Sequence, residues 1–94
     1  MKAKTTRSTG NVFIDLGFDP AEAAVLKMRA ALMNDLRLCI EKRKLTQAEA
    51  SKLLGITQAR VSDLVRGKWE KFNLEMLIML KFRMGQKVRL QHAA

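Results

Sequence analysis

The feature that most constrains this chain is one glycine with a helix-forming run on each side. Thr46 to Leu54 reads TQAEASKLL, Gly55 follows, and Ile56 to Arg66 reads ITQARVSDLVR. Thr46 suits an N-cap, and Glu49 three residues later completes a capping box. Ala48, Ala50, Leu53 and Leu54 are expected to form the inward face of this first helix. Gly55 can take positive φ, so the helix can end sharply there. Thr57 then caps a second helix, expected over Gln58 to Arg66 and closed by Gly67. Val61, Leu64 and Val65 fall on one side of it at helical spacing. Gln58, Ala59, Arg60, Ser62, Asp63 and Arg66 occupy much of the rest. Ser51 is small where two helices must cross closely.

Two short helices across a tight turn are the build of a helix-turn-helix, whose second helix enters the DNA major groove. The stretch LTQAEASKLLGITQARVSDLVRGK resembles the lambda-repressor-like, Cro/C1-type (XRE) family. The resemblance lies in Gln47 near the first helix start, Gly55 in the turn, Thr57-Gln58 opening the second helix and Gly67 after it. The text NVFIDLGFDPAEA, with the long helix that follows, is similar to a narrower branch. That branch includes small HigA-type antitoxins of bacterial toxin–antitoxin pairs. The general resemblance covers about residues 29 to 84, and the narrower one nearly the whole chain.

The resemblance implies an all-α fold, a compact four-helix lambda-repressor-like domain. Here the first helix is extended, and short strands are expected at both ends. It also implies a sequence-specific transcriptional repressor that occupies an operator as a dimer. In the narrower branch the repressor is an antitoxin, which represses its own operon and masks a toxin. Two alternatives stand beside this: a stand-alone phage-type repressor without a toxin, or mainly a toxin-neutralising protein-binding module.

Helix geometry assigns the DNA roles. Gln58 and Ala59 sit at the N-terminal end of the second helix, the end that points into the groove. Glutamine can bond adenine in bidentate fashion, and an alanine methyl can touch a thymine methyl. Ser62 faces the same way one turn later. Gln47 lies at a helix N-terminus, which suits a phosphate, and the resemblance gives it that role. Thr46, Arg60, Arg66 and Lys68 are further backbone candidates, with Thr57 as the cap of the reading helix. Asp63 has two readings. It can accept from a cytosine amino group, or it can pair with Arg60 or Arg66 and hold them in place.

Charge agrees with a nucleic-acid partner. The net charge is +9, and residues 41 to 94 hold +7 of it, from 12 Lys/Arg and 5 Asp/Glu. The basic excess therefore lies with the reader. Catalysis has little to work with: the chain has no tyrosine, one histidine and one cysteine, and no acidic cluster or phosphate-binding glycine loop follows a strand. No cofactor or metal is expected. Cys39 lies on an apolar helical stripe and is expected to be a small core residue. The longest apolar run, Met76 to Leu80, is too short to span a bilayer, so a cytoplasmic, nucleoid-associated protein is expected.

The domain divides as an N-terminal arm with a short strand over 1–19, the reader over 20–85, and a strand and tail over 86–94. The arm carries Lys2, Lys4 and Arg7, and is either a solvated tail or a contact to a DNA groove. Val12 to Ile14 is β-prone. Asp19-Pro20-Ala21-Glu22 starts a long helix running to about Arg43, with Val25, Leu32, Leu36, Cys39 and Ile40 on one stripe. Its front half needs cover, from the Val12–Phe18 segment or from a second subunit. Trp69 and Phe72 are expected to close the core rather than stack on a base. Leu74 to Met84 is a helix apolar almost all round, which needs cover on two sides, and a second copy is the simplest partner. Gln86 to Gln91 alternates as a strand does, and Val12–Ile14 is the available mate.

Overall fold

Side-chain caps decide where this chain turns. The computed structural model describes residues 11–86, and among these residues it holds five α-helices, one turn of 3-10 helix and no strand. The helices are α1 (Val12–Asp15), α2 (Pro20–Lys42), α3 (Gln47–Leu54), α4 (Gln58–Val65) and α5 (Leu74–Arg83), with the 3-10 turn at Trp69–Lys71. Asp19 caps α2, its Oδ2 accepting from the amides of Ala21 and Glu22. Pro20 at the first helical position has no N–H to leave unpaired. Thr46 and Glu49 form both halves of the capping box on α3. Thr57 accepts from Arg60 N–H and Asn73 from Met76 N–H, which starts α4 and α5. All four starts fall where the sequence puts them.

α2 is the spine. Its Leu32, Met33, Leu36, Cys39 and Ile40 are buried in one core with Ala50 and Leu54 of α3, Val61 and Leu64 of α4, and Leu77 and Leu80 of α5. Phe72 and Met84 complete it. Of the four residues expected to face inward from α3, Ala50 and Leu54 do so, whereas Ala48 and Leu53 are exposed. Eight residues make little more than two turns, and the buried stripe needs only the positions four apart. Val25 likewise leaves the α2 stripe for the surface, and Ala23 and Leu26 are buried instead.

The N-terminal segment departs from expectation. Val12–Ile14 is helix, not strand, because Asn11 caps its start and ties it to α2: its Oδ1 accepts from Phe13 N–H at 2.9 Å and its Nδ2 donates to Ala23 O at 3.1 Å. Phe13 then buries against Ala23 and Leu26, with Phe18 and Trp69 packed alongside. Packing here overrides the strand preference of Val, Phe and Ile. So the front half of α2 is covered by its own chain. The expected C-terminal strand lies outside the described residues, except Gln86, which is not in one.

α5 is half covered. Leu77, Leu80 and Met84 are in the core, while Met79 is 50% and Phe82 62% exposed. Trp69 and Phe72 close the core, as expected, from the 3-10 turn and its end. Among the described residues no helix is long and apolar enough to cross a membrane.

α2 meets α3 through a left-handed residue that is not glycine. Lys44 has φ 55, its N–H donates to Glu41 O, and Leu45 N–H donates to Ile40 O, both at 3.1 Å. This is the Schellman pattern, where glycine is the usual residue. Lys44→Gly should therefore raise stability by about 0.5–1 kcal/mol, the left-handed cost relieved less the extra freedom of the unfolded chain. Gly55→Ala, at φ 70, should lower stability, by about 1–2 kcal/mol. Urea titrations of both variants check the pair, and the same sign for both would contradict the account.

Candidate nucleic-acid interface

The angle between α3 and α4 is set by hydrogen bonds around Gly55. Gly55 N–H and Ile56 N–H both donate to Ser51 O, at 2.8 and 3.2 Å. The Ser51 hydroxyl donates to Ile56 O, so the small residue in this position is a staple as well as a spacer. From across the core, Arg83 of α5 donates to Leu54 O at 2.9 Å. That bond satisfies one of the carbonyls left over at the end of α3. No local pattern around Arg83 announces it, because the bond spans 29 positions of sequence.

On this corner α4 is fixed by Val61 and Leu64, both fully buried. The leading end of the helix faces out. Gln58 and Ala59 are exposed at its N-terminus, Thr57 is the exposed cap, and Ser62 is half-buried one turn on. Gln47 is exposed at the first position of α3, beside the Thr46 cap. Helix N-termini carry partial positive charge and suit phosphate oxygens. Arg66 and Lys68 are exposed just past the end of α4.

Arg60 and Asp63 are turned back onto the protein. The Arg60 guanidinium lies 5.8 Å from the Phe72 ring centroid, and its NH1 donates to Lys71 O at 3.4 Å. Asp63 lies 3.9 Å from Arg60 and 4.0 Å from Lys68, with its side chain 21% exposed. Its ion pairs are thus with Arg60 and Lys68, not Arg66. Lys68 N–H also donates to Asp63 O at 3.0 Å, which ties the segment after α4 to the helix itself.

A family model for a helix-turn-helix domain matches residues 12–92. The chain belongs to that family. Among curated proteins, none matches it. The family match begins at Val12, so α1 and the front half of α2 are part of this helix-turn-helix domain and not a linker to it.

Sequence reasoning passed over Arg29, Asn11 and the Lys81–Asp35 ion pair at 2.8 Å. Each joins elements distant in the chain, so no local spacing marks it.

Asp63 offers a direct discrimination. Its ion pairs are long and partly solvated, and such pairs are worth about 0–1 kcal/mol. Asp63→Asn should change stability by less than about 0.5 kcal/mol. It should also tighten binding to random DNA several-fold, about 2–5-fold, by removing one negative charge and releasing Lys68. Filter binding on random duplexes checks this. A loss confined to sites with cytosine at one position would make Asp63 a base reader instead.

Proposed function

We propose that this helix-turn-helix domain is a sequence-specific DNA-binding repressor of the Cro/C1 type, acting as a dimer. The observation that carries the reading is α4. One face is locked into the core by Val61 and Leu64, while Gln58 and Ala59 stand exposed at its leading end. A helix held rigidly with short polar and methyl groups at its N-terminus matches what major-groove readout needs. Gln47, Thr46, Thr57, Arg66 and Lys68 then serve as phosphate contacts that fix its register. Arg60 acts in the same reading by bracing the 3-10 turn. The uncovered Met79 and Phe82 on α5 favour the dimer, because they leave apolar surface for a second copy.

A second activity, as an antitoxin of HigA type, has its own supporting observation. The segment Val12 to Ala31 is the candidate contact, and its Asp15, Asp19 and Glu22 outweigh Lys27 and Arg29 for a net charge of −1 within a chain of net charge +9. The same segment exposes Val12 and Leu16, the latter at 70%. An acidic, partly apolar surface repels DNA and favours a basic protein. Pull-down of the full chain with the product of an adjacent gene tests this reading, and a clean failure leaves the plain repressor.

Gln58→Ala should weaken binding to the operator, once found by selection from a random pool, by about 1–3 kcal/mol. On random DNA the loss should be small, and stability should stay within about 0.5 kcal/mol. Equal losses on both DNAs would make Gln58 a backbone contact, and no loss on either would mean another face reads.

Wild-type affinity should fall about 10³–10⁵-fold between 50 and 200 mM salt if each dimer neutralises roughly 6–10 phosphates. Lys68→Ala should flatten the slope by about one unit. A flat salt profile would overturn the phosphate-dominated part of the reading. Met79→Glu with Phe82→Glu should shift the protein toward monomer in light scattering without unfolding it, since both are exposed. A monomeric wild type at micromolar concentration would remove the dimer.

A further inference from the structure

A groove of about 490 Å³ runs along the front half of α2. Its walls are Phe18, Val25, Leu26 and Trp69, with Glu22 and Arg29 also lining it. Glu22 and Arg29 are seven positions apart on α2, so they stand about 10 Å apart along its axis. The lining is therefore apolar in the middle, with a carboxylate at one end and a guanidinium at the other.

Arg29 is under-used. A guanidinium carries five N–H donors. Here NH1 makes one long bond, 3.4 Å to Trp69 O, and buried Nε has no hydrogen-bond partner. No ion pair reaches Arg29 among the described residues, although Arg37, Arg60, Lys68 and Lys81 each have one. A half-buried cation without a counter-ion is costly, and a carboxylate is the acceptor that suits its fork. The volume falls within the range of small-molecule sites, which combine apolar walls with a few placed polar groups.

We propose that this groove is a binding site for an apolar monocarboxylic acid. Its carboxylate pairs with Arg29, and its aryl or alkyl body lies along Val25 and Leu26 against the Phe18 and Trp69 rings. Glu22 marks the far end and disfavours a second anionic group there, so the class is monoacids rather than diacids. The site adjoins the reader: Trp69 N–H donates to Gly67 O at 2.9 Å, just past the end of α4. The groove shares Phe18, Glu22, Val25 and Leu26 with the segment of the antitoxin reading, but the proposal does not rest on that reading.

Trp69 is the only tryptophan in the chain, so its fluorescence reports the groove directly. Titration of the full chain with 4-phenylbutyrate should give a saturable change in Trp69 emission, with calorimetry giving the same affinity. The neutral 4-phenylbutyramide should bind about ten-fold more weakly or worse, as loss of one charge-assisted pair requires. Arg29→Met should abolish the difference between acid and amide. Because Arg29 also holds Trp69 O, a second variant guards against misfolding. Val25→Glu, on an exposed wall position, should leave the melt unchanged and abolish acid binding. No response to either compound, equal affinity for both, or acid binding that survives Val25→Glu would overturn the proposal.

Discussion

Everything the reading helix can do depends on the closure of the α3–α4 corner. Three contacts meet there: the left-handed turn at Gly55, the Ser51 hydroxyl on Ile56 O, and Arg83 on Leu54 O. The first two are local, and would form in any chain with this text. The third comes from α5, so the corner is complete only when the last helix has docked. Arg83 thereby ties the reading geometry to the core that holds Leu77 and Leu80. A carbonyl left without a partner at a half-buried helix end costs as much as a lost hydrogen bond, and the chain meets that cost from the far side of the domain.

Trp69 plays the corresponding part at the other end. It packs against both the main core and the smaller cluster of Phe13, Ala23 and Leu26. Its ring makes edge-to-face contacts with Phe13 at 5.7 Å and Phe18 at 6.5 Å, arrangements that aromatic quadrupoles favour. The 3-10 turn that carries it follows directly from the exit of α4, where Lys68 N–H and Asp63 O are bonded. The loop after the reading helix is thus a joint between the reader and the front unit. Arg60, lying over Phe72 and bonded to Lys71 O, braces the same joint from within α4.

How much of this the sequence discloses follows from the range of each interaction. Asp19, Thr46, Thr57 and Asn73 are caps whose partners lie two or three residues on, and each stands where its helix begins. The Val61 and Leu64 stripe is equally local, and with it the exposure of Gln58 and Ala59. The misjudged segment is Val12–Ile14, where β-prone residues adopt a turn of helix because Asn11 bonds Ala23 O twelve residues on and Phe13 finds a pocket at Ala23 and Leu26. Arg60 reads as a DNA-backbone candidate in sequence and Arg29 and Arg83 carry no local signal, yet each donates to a backbone carbonyl of another element. Such bonds depend on tertiary placement, which helical spacing does not encode.

The two clusters are unequal, and that inequality carries a consequence for dynamics. The main core buries thirteen residues drawn from α2 to α5, whereas the front cluster buries three. Local opening free energy follows the apolar area an opening exposes, so the front unit belongs to the low-stability end of the domain. α2 runs unbroken through both, so loosening the front unit need not unwind the reader. It releases Trp69 from one side only. The front of α2 and the segment that leaves α4 therefore meet at Trp69. The corner at Gly55, held by Arg83 from the main core, stays as it is.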